Sequence, residues 1–259
     1  MHFSFSFQVP RSILHTLGLF GVVALTACTT PGPNAVPGEP FDPFEVGNRK
    51  THEFNKSLDR TLLRPSGDAY SNIPDDIQTS VSNFADNLAL PSEAVNKLLQ
   101  GDLLGMLQNS YRFLVNSTLG FGGLFDPATD FGVPAAPTDF GETLFVWGVQ
   151  EGAYVELPFV GPSTERAAVG KVVDLFTNPL SYVLPSPEKY VGNVASLASK
   201  IGDRGRYADT IDSILYDSVD SYAQSRTIYL QNRRFDLGDE GGDAYLDPYD
   251  DPYGDPYAE

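Results

Sequence analysis

Residues 102–119, DLLGMLQNSYRFLVNSTL, set the tightest limit on what this chain can fold into. Read as a helix, the run spreads Leu103, Leu104, Met106, Leu107, Tyr111, Phe113, Leu114 and Val115 over most of the circumference. A helix that is apolar nearly all round must be covered by protein or by lipid. The segment next to it is no ordinary covering. Gly120 to Gly141, GFGGLFDPATDFGVPAAPTDFG, is too rich in Gly and Pro for regular structure and too rich in Phe for a solvated loop.

The surrounding chain has a helical pattern punctuated by Pro and Gly. Phe54, Leu58 and Leu62 recur at four-residue spacing, predicting a helix over 48–63 that Pro65 ends. Pro74 with Asp75 and Asp76 makes a helix start, and Ile77, Val81, Phe84 and Leu88 then share a face. Pro91 should break this helix, with Ser92 capping a third, short one closed by Gly101. Later helices are expected over 142–149, from Ser163 as N-cap to Asn178, over 188–201, and from Gly205 to about Arg234. One brief alternating strand is expected before Pro158. Strand signals are otherwise nearly absent, so the class is all-α, as a single multi-helix domain over 44–235.

The only cysteine, Cys28, ends an apolar run that begins after Arg11. A basic start, an apolar middle too short to span a membrane stably and small residues at the end are the order of a secretory signal, here 1–27. Leu25, Thr26 and Ala27 before the cysteine resemble the bacterial lipobox, which implies cleavage at Cys28 and acylation of its thiol and new amino group. Thr29, where an Asp would favour retention at the inner membrane, points to the outer one. Residues 28–43, rich in Pro and Gly, then read as a short tether between lipid and fold.

A formal charge of −17 argues against nucleic acid as a partner. Residues 236–259 carry nine acidic groups and no Lys or Arg, leaving −8 for the rest. Within them Asp-Pro-Tyr repeats from Asp247, Asp251 and Asp255. Pro every fourth residue forbids a helix and charge opposes burial, so a disordered acidic tail is expected.

Catalytic motifs are scarce. Once His2 and His15 leave with the signal peptide, only His52 could serve a nucleophile relay, and no G-x-S-x-G elbow accompanies it. No multi-Cys or multi-His zinc pattern, P-loop or G-x-G-x-x-G occurs, so no metal or dissociable cofactor is expected. Asp126, Asp130, Asp139 and Glu142 lie close together and suit acid/base work or calcium. Helix caps and turns use the same residues, with Asp139 before the 142–149 helix and Asp126 before Pro127.

Four stretches resemble the MlaA family, also called VacJ: Asp42 to Pro65, Val81 to Asp102, Arg112 to Gly132 and Tyr154 to Asp174. They cover nearly the whole fold in order; the Asp-Pro-Tyr tail, and Ala167 and Ala168 after Arg166, depart from the family pattern. The resemblance implies a ring-shaped helical lipoprotein, anchored through Cys28 on the periplasmic side of the outer membrane and associated with a trimeric porin. It further implies that mislocalised outer-leaflet phospholipid passes through an amphipathic channel to a periplasmic lipid carrier, with no enzymatic step. Irregular backbone at membrane depth is allowed only where it is buried or lines a cavity, a description that Gly120 to Gly141 fits. The candidate apolar wall is therefore Phe121, Phe125, Phe131, Phe140, Leu144 and Trp147, with Asn55, Asp126 and Asp130 on the headgroup side. The rival expectations are a porin-bound structural lipoprotein without a conduit, and a hydrolase using carboxylates near Asp126 and Glu142.

Overall fold

A computed structural model describes residues 29–30 and 40–238. The expected signal peptide, Cys28 itself and the acidic tail beyond residue 238 lie outside them. Helix α1, Glu45–Leu58, runs through one wide turn, Asp59–Leu63, into α2, Arg64–Tyr70. Pro65 does not end this element as expected. The wide turn restarts the hydrogen-bond ladder just ahead of it, so the proline takes a first-turn position where no backbone donor is required.

The two helices expected on either side of Pro91 are one, α3, Asp75–Leu99, of 25 residues. Pro91 removes the donor that would serve the Asn87 carbonyl, and the end of a neighbouring helix braces the same turn. The Asn178 side chain donates to the Leu88 carbonyl at 3.1 Å, and Ser92, rather than capping, pairs with the Thr177 hydroxyl at 3.2 Å. After a turn at Gly101, whose φ of +79° suits glycine, α4, Leu103–Thr118, packs along α3. Asp102 caps it, accepting from the Gly105 amide at 2.8 Å.

Two short helices come next, α5, Pro127–Asp130, and α6, Phe140–Val146. Asp126 caps the first and Asp139 the second, the capping role weighed for both from the sequence. Where one strand was expected there are two: β1, Tyr154–Leu157, pairs antiparallel with β2, Gly161–Thr164, in the register Tyr154↔Thr164 to Leu157↔Gly161. Ser163 is therefore a buried strand residue, and Thr164 caps the next helix by accepting from the Ala167 amide at 3.3 Å.

The remainder is α7, Glu165–Thr177; α8, Leu180–Val183; α9, Val191–Arg206, after a single 3-10 turn; α10, Ala208–Asp212, with a wide turn to Asp217; and α11, Ser221–Asp236. Gly205 thus falls within α9, and the helix expected from there to Arg234 is broken at Tyr207 and at 218–220. Asp220 starts α11 by accepting from the Ala223 amide at 3.0 Å, and Arg49 clamps the same carboxylate with two bonds of 3.0 and 2.8 Å. Helix pairs approach closely where glycines meet: a Cβ at Gly170 would fall 2.3 Å from the Gly141 nitrogen, joining α7 to α6. The described residues are all-α but for the small hairpin.

The apolar core is slight. Tyr154, Tyr222 and Leu230 pack together with Tyr229 against them, where the hairpin meets α11. No helix among the described residues is long and apolar enough to cross a membrane.

Candidate functional site

Helix α4 is inside out. Its buried residues are Gly105, Asn109, Arg112 and Asn116, spaced four, three and four apart, so one helical stripe faces inward and it is polar. Its outward residues are Leu103, Leu104, Leu107, Tyr111 and Leu114, with Leu104 69% exposed. In a water-soluble fold the two stripes would be exchanged. The pattern continues elsewhere, in exposed Val172, Leu175 and Phe176 on α7 and in Val194 and Leu197 on α9. An apolar surface this extensive marks contact with lipid or with protein.

The inward stripe holds the irregular segment in place. Asn109 donates to the Ala136 carbonyl at 2.8 Å, and Arg112 to the Val133 carbonyl at 2.6 Å and to Asp126 at 2.7 Å. Asn116 donates to Asp126 at 2.8 Å and accepts from the Ala128 amide at 3.1 Å. Backbone groups that a loop would ordinarily offer to water are thus satisfied by α4. Burial alone would raise the Asp126 carboxyl, but the bonds from Thr129, Asn116 and Arg112 outweigh it and hold the pKa below the usual range.

A cavity of about 360 Å³ opens between α3, the end of α7, α8 and α9. Phe84, Leu88, Leu184 and Val191 give it apolar walls, while Asp174 and Asn178 add polar groups. Asp174 accepts from the Asn96 side chain at 3.1 Å and the Phe140 amide at 3.1 Å, yet burial dominates and raises its pKa. Further along α3, burial and then the neighbouring Asp86 push Glu93 up to about 7, against the opposing charges of Lys97 and Arg112.

None of the nine residues singled out from sequence lines this cavity. Phe121 and Phe125 meet edge to face at 6.1 Å and are both exposed, as are Phe131 and Asp130. Phe140 stacks edge-on with Trp147 at 5.7 Å, the Trp147 indole donates to the Leu99 carbonyl at 3.0 Å, and Leu144 is buried. Asn55 is engaged by the hairpin, donating to the Leu157 carbonyl at 3.0 Å and accepting from the Phe159 amide at 2.9 Å. The cavity residues do not stand out in the sequence because Phe84 and Leu88 also fit a simple packing face. Asn178 is visible there only as a helix stop.

His52 does meet a serine and a carboxylate: its Nε2 lies 3.1 Å from Ser221 Oγ and its Nδ1 3.4 Å from Glu156. The order is that of a nucleophile relay, but Ser221 is only 8% exposed and Lys56 also donates to its oxygen at 3.3 Å. Glu156 is further occupied by the Tyr154 hydroxyl and by Asn55. The group is a closed link between α1, β1 and α11. Among the described residues no three His, Cys, Asp or Glu side chains gather as a metal site.

A family model described as MlaA lipoprotein matches residues 40–236. The chain belongs to the MlaA lipoprotein family. It is 34% identical over 228 residues to the intermembrane phospholipid transport system lipoprotein MlaA of Escherichia coli, covering 86% of this chain and 87% of that protein. It is 37% identical over 195 residues to an uncharacterized protein of Rickettsia felis, covering 73% and 75% of the two. The fold of this MlaA family member is similar to a chain solved in work on the structural basis for maintenance of bacterial outer membrane lipid asymmetry. The TM-score is 0.65 at 33% identity, over 76% of this chain and 98% of that one.

Proposed function

We propose that this MlaA family member is a phospholipid-transport lipoprotein, moored through Cys28 to the periplasmic side of the outer membrane. Its helices form a ring embedded in the inner leaflet. Mislocalised phospholipid from the outer leaflet descends through the ring and passes to a periplasmic carrier, with a trimeric porin as the neighbour in the membrane. The observation that carries this reading is the polarity of α4, leucines outward and Asn109, Arg112 and Asn116 inward. Lipid covers the first face, and the second fixes irregular backbone at membrane depth.

The cavity beside Asp174 has the mixture a two-tailed lipid needs, apolar wall for chains and polar groups near them. Phe121, Phe125, Phe131, Phe140, Leu144 and Trp147 remain wall candidates of the wider passage, and Asn55, Asp126 and Asp130 headgroup-side candidates. No nucleotide-binding motif occurs in the chain, so direction comes from a partner. No chemical step is part of the role, and no cofactor beyond the acyl groups on Cys28 is required.

The test is purification in mild detergent followed by mass spectrometry of bound lipid. Intact phospholipid at near one per chain, reduced by Leu88→Trp in the cavity, is the expected result. No bound lipid, with unchanged outer-leaflet phospholipid in cells carrying Leu88→Trp, would leave the porin-bound structural role. Release of fatty acid would instead revive a hydrolase.

A further inference from the structure

The residue after the acylated cysteine is already docked on the fold. The Thr29 amide donates to Glu165 Oε2 at 2.7 Å, and the Thr29 hydroxyl donates to the same oxygen at 2.9 Å. Glu165 is held ready for them at the start of α7: its Oε2 also accepts from the Ala153 amide at 3.2 Å, and its own amide donates to the Ala153 carbonyl at 3.0 Å. Twelve residues later, the Phe41 carbonyl accepts from the Tyr154 amide at 2.9 Å. Thr29 and Phe41 are therefore tied to neighbouring places on the fold, Thr29 to the carboxylate that Ala153 also bonds and Phe41 to Tyr154. Fully extended, the stretch between them could span about 40 Å, yet one end is held by the Glu165 carboxylate, which also accepts from the Ala153 amide, and the other by the adjacent Tyr154 amide.

From this geometry we infer that Glu165 is a clasp for the mature N-terminus, which fixes the lipid-bearing Cys28 against α7 in place of a free leash. The inference rests on the lipoprotein reading above and adds where the anchor sits. Cys28 is one peptide unit, about 3.8 Å between Cα atoms, from the docked Thr29. Acyl chains starting there enter the leaflet next to α6, which packs on α7 and ends in exposed Val146 and Trp147. A tryptophan at that place suits the headgroup level of a membrane. The clasp thus sets the height and rotation of the domain in the leaflet, which a freely extended tether of residues 28–43 would leave undetermined.

With the Cys28 thiol acylated, introduced cysteines are the only free thiols, since the chain has one cysteine. Spin labels at Thr30→Cys and Gln150→Cys, in the full lipoprotein in phospholipid vesicles, read the distance by dipolar coupling. A single short, narrow distance is expected, at least doubling in width and lengthening in Glu165→Ala. Thr29→Pro removes both donors while leaving α7 intact, and should reproduce the change at unaltered helicity. A broad, long distribution with Glu165 and Thr29 both present would overturn the clasp, as would no change in either variant. Mass spectrometry of the same samples separates the two readings: an unmodified Cys28 sinks the lipoprotein assignment, whereas broad distances on acylated chains sink the clasp alone.

Discussion

The corner where α1, the hairpin and α11 meet, and the seam of α4 with the 126–136 segment, both bury polar groups, but what lies outside them differs. At the corner, His52, Glu156, Tyr154, Tyr222 and Asp42 interlock beside the compact apolar cluster, and Arg49 and Asp220 make an exposed ion pair beyond it. At the seam, the polar stripe of α4 is backed on its far side by exposed leucines. The first region is organised for water outside. The second is organised for an apolar cover, lipid or protein, because buried polar groups on one side of a helix with exposed leucines on the other reverse the balance that water imposes.

The largest effect is expected in the seam, at Arg112. Arg112→Met leaves Asp126 without its charged partner and frees the Val133 carbonyl, so detergent-solubilised protein should lose about 3–5 kcal/mol in chemical denaturation. A loss below about 1 kcal/mol would mean that the seam is not held by its polar stripe. Next is the outer face. Leu104→Ser should weaken vesicle binding of a chain lacking the acyl anchor by about 2 kcal/mol, some thirtyfold, while moving its stability in detergent by less than about 0.5 kcal/mol. The same change at a core leucine such as Leu230 should do the opposite.

Smaller effects sharpen the contrast. Tyr222→Phe removes the hydroxyl that Asp42 accepts and should cost about 1.5 kcal/mol, equally in detergent and in vesicles, because the corner does not depend on lipid. Glu93 supplies a pH signature of the interior beside α3. Its carboxyl keeps its proton up to about 7 in the fold and releases it near 4.5 when unfolded, so its contribution to stability falls as pH rises between those values. Glu93→Gln should therefore be neutral near pH 4 and stabilise the chain by about 1 kcal/mol above pH 7, allowing for water that reaches the partly exposed group. A melting curve showing no pH-dependent difference would place Glu93 in open solvent.

Helix positions are legible where apolar spacing or a capping residue is local. The 75–88 face, the Asp126 and Asp139 caps and the near absence of strands follow from neighbours a few residues apart. Pro91 and the break at 218–220 depart from expectation because their outcome depends on Asn178 and on Arg49, both distant in sequence, and Ser163 because it pairs across a hairpin with Val155. The candidate site divides the same way. The Phe residues of 121–140 announce an unusual environment, while the cavity near Asp174 is assembled from separate helices whose packing no local pattern encodes.

Sequence by itself determined that this chain is helical, that Cys28 follows a lipobox-like run, and that one helix is too apolar for water, because each rests on covalent order or on a period within one element. Only the tertiary structure decided that the polar face of that helix turns inward, and that Thr29 meets Glu165. Both are set by which distant groups satisfy buried donors and acceptors, a condition that exists only once the elements are packed together.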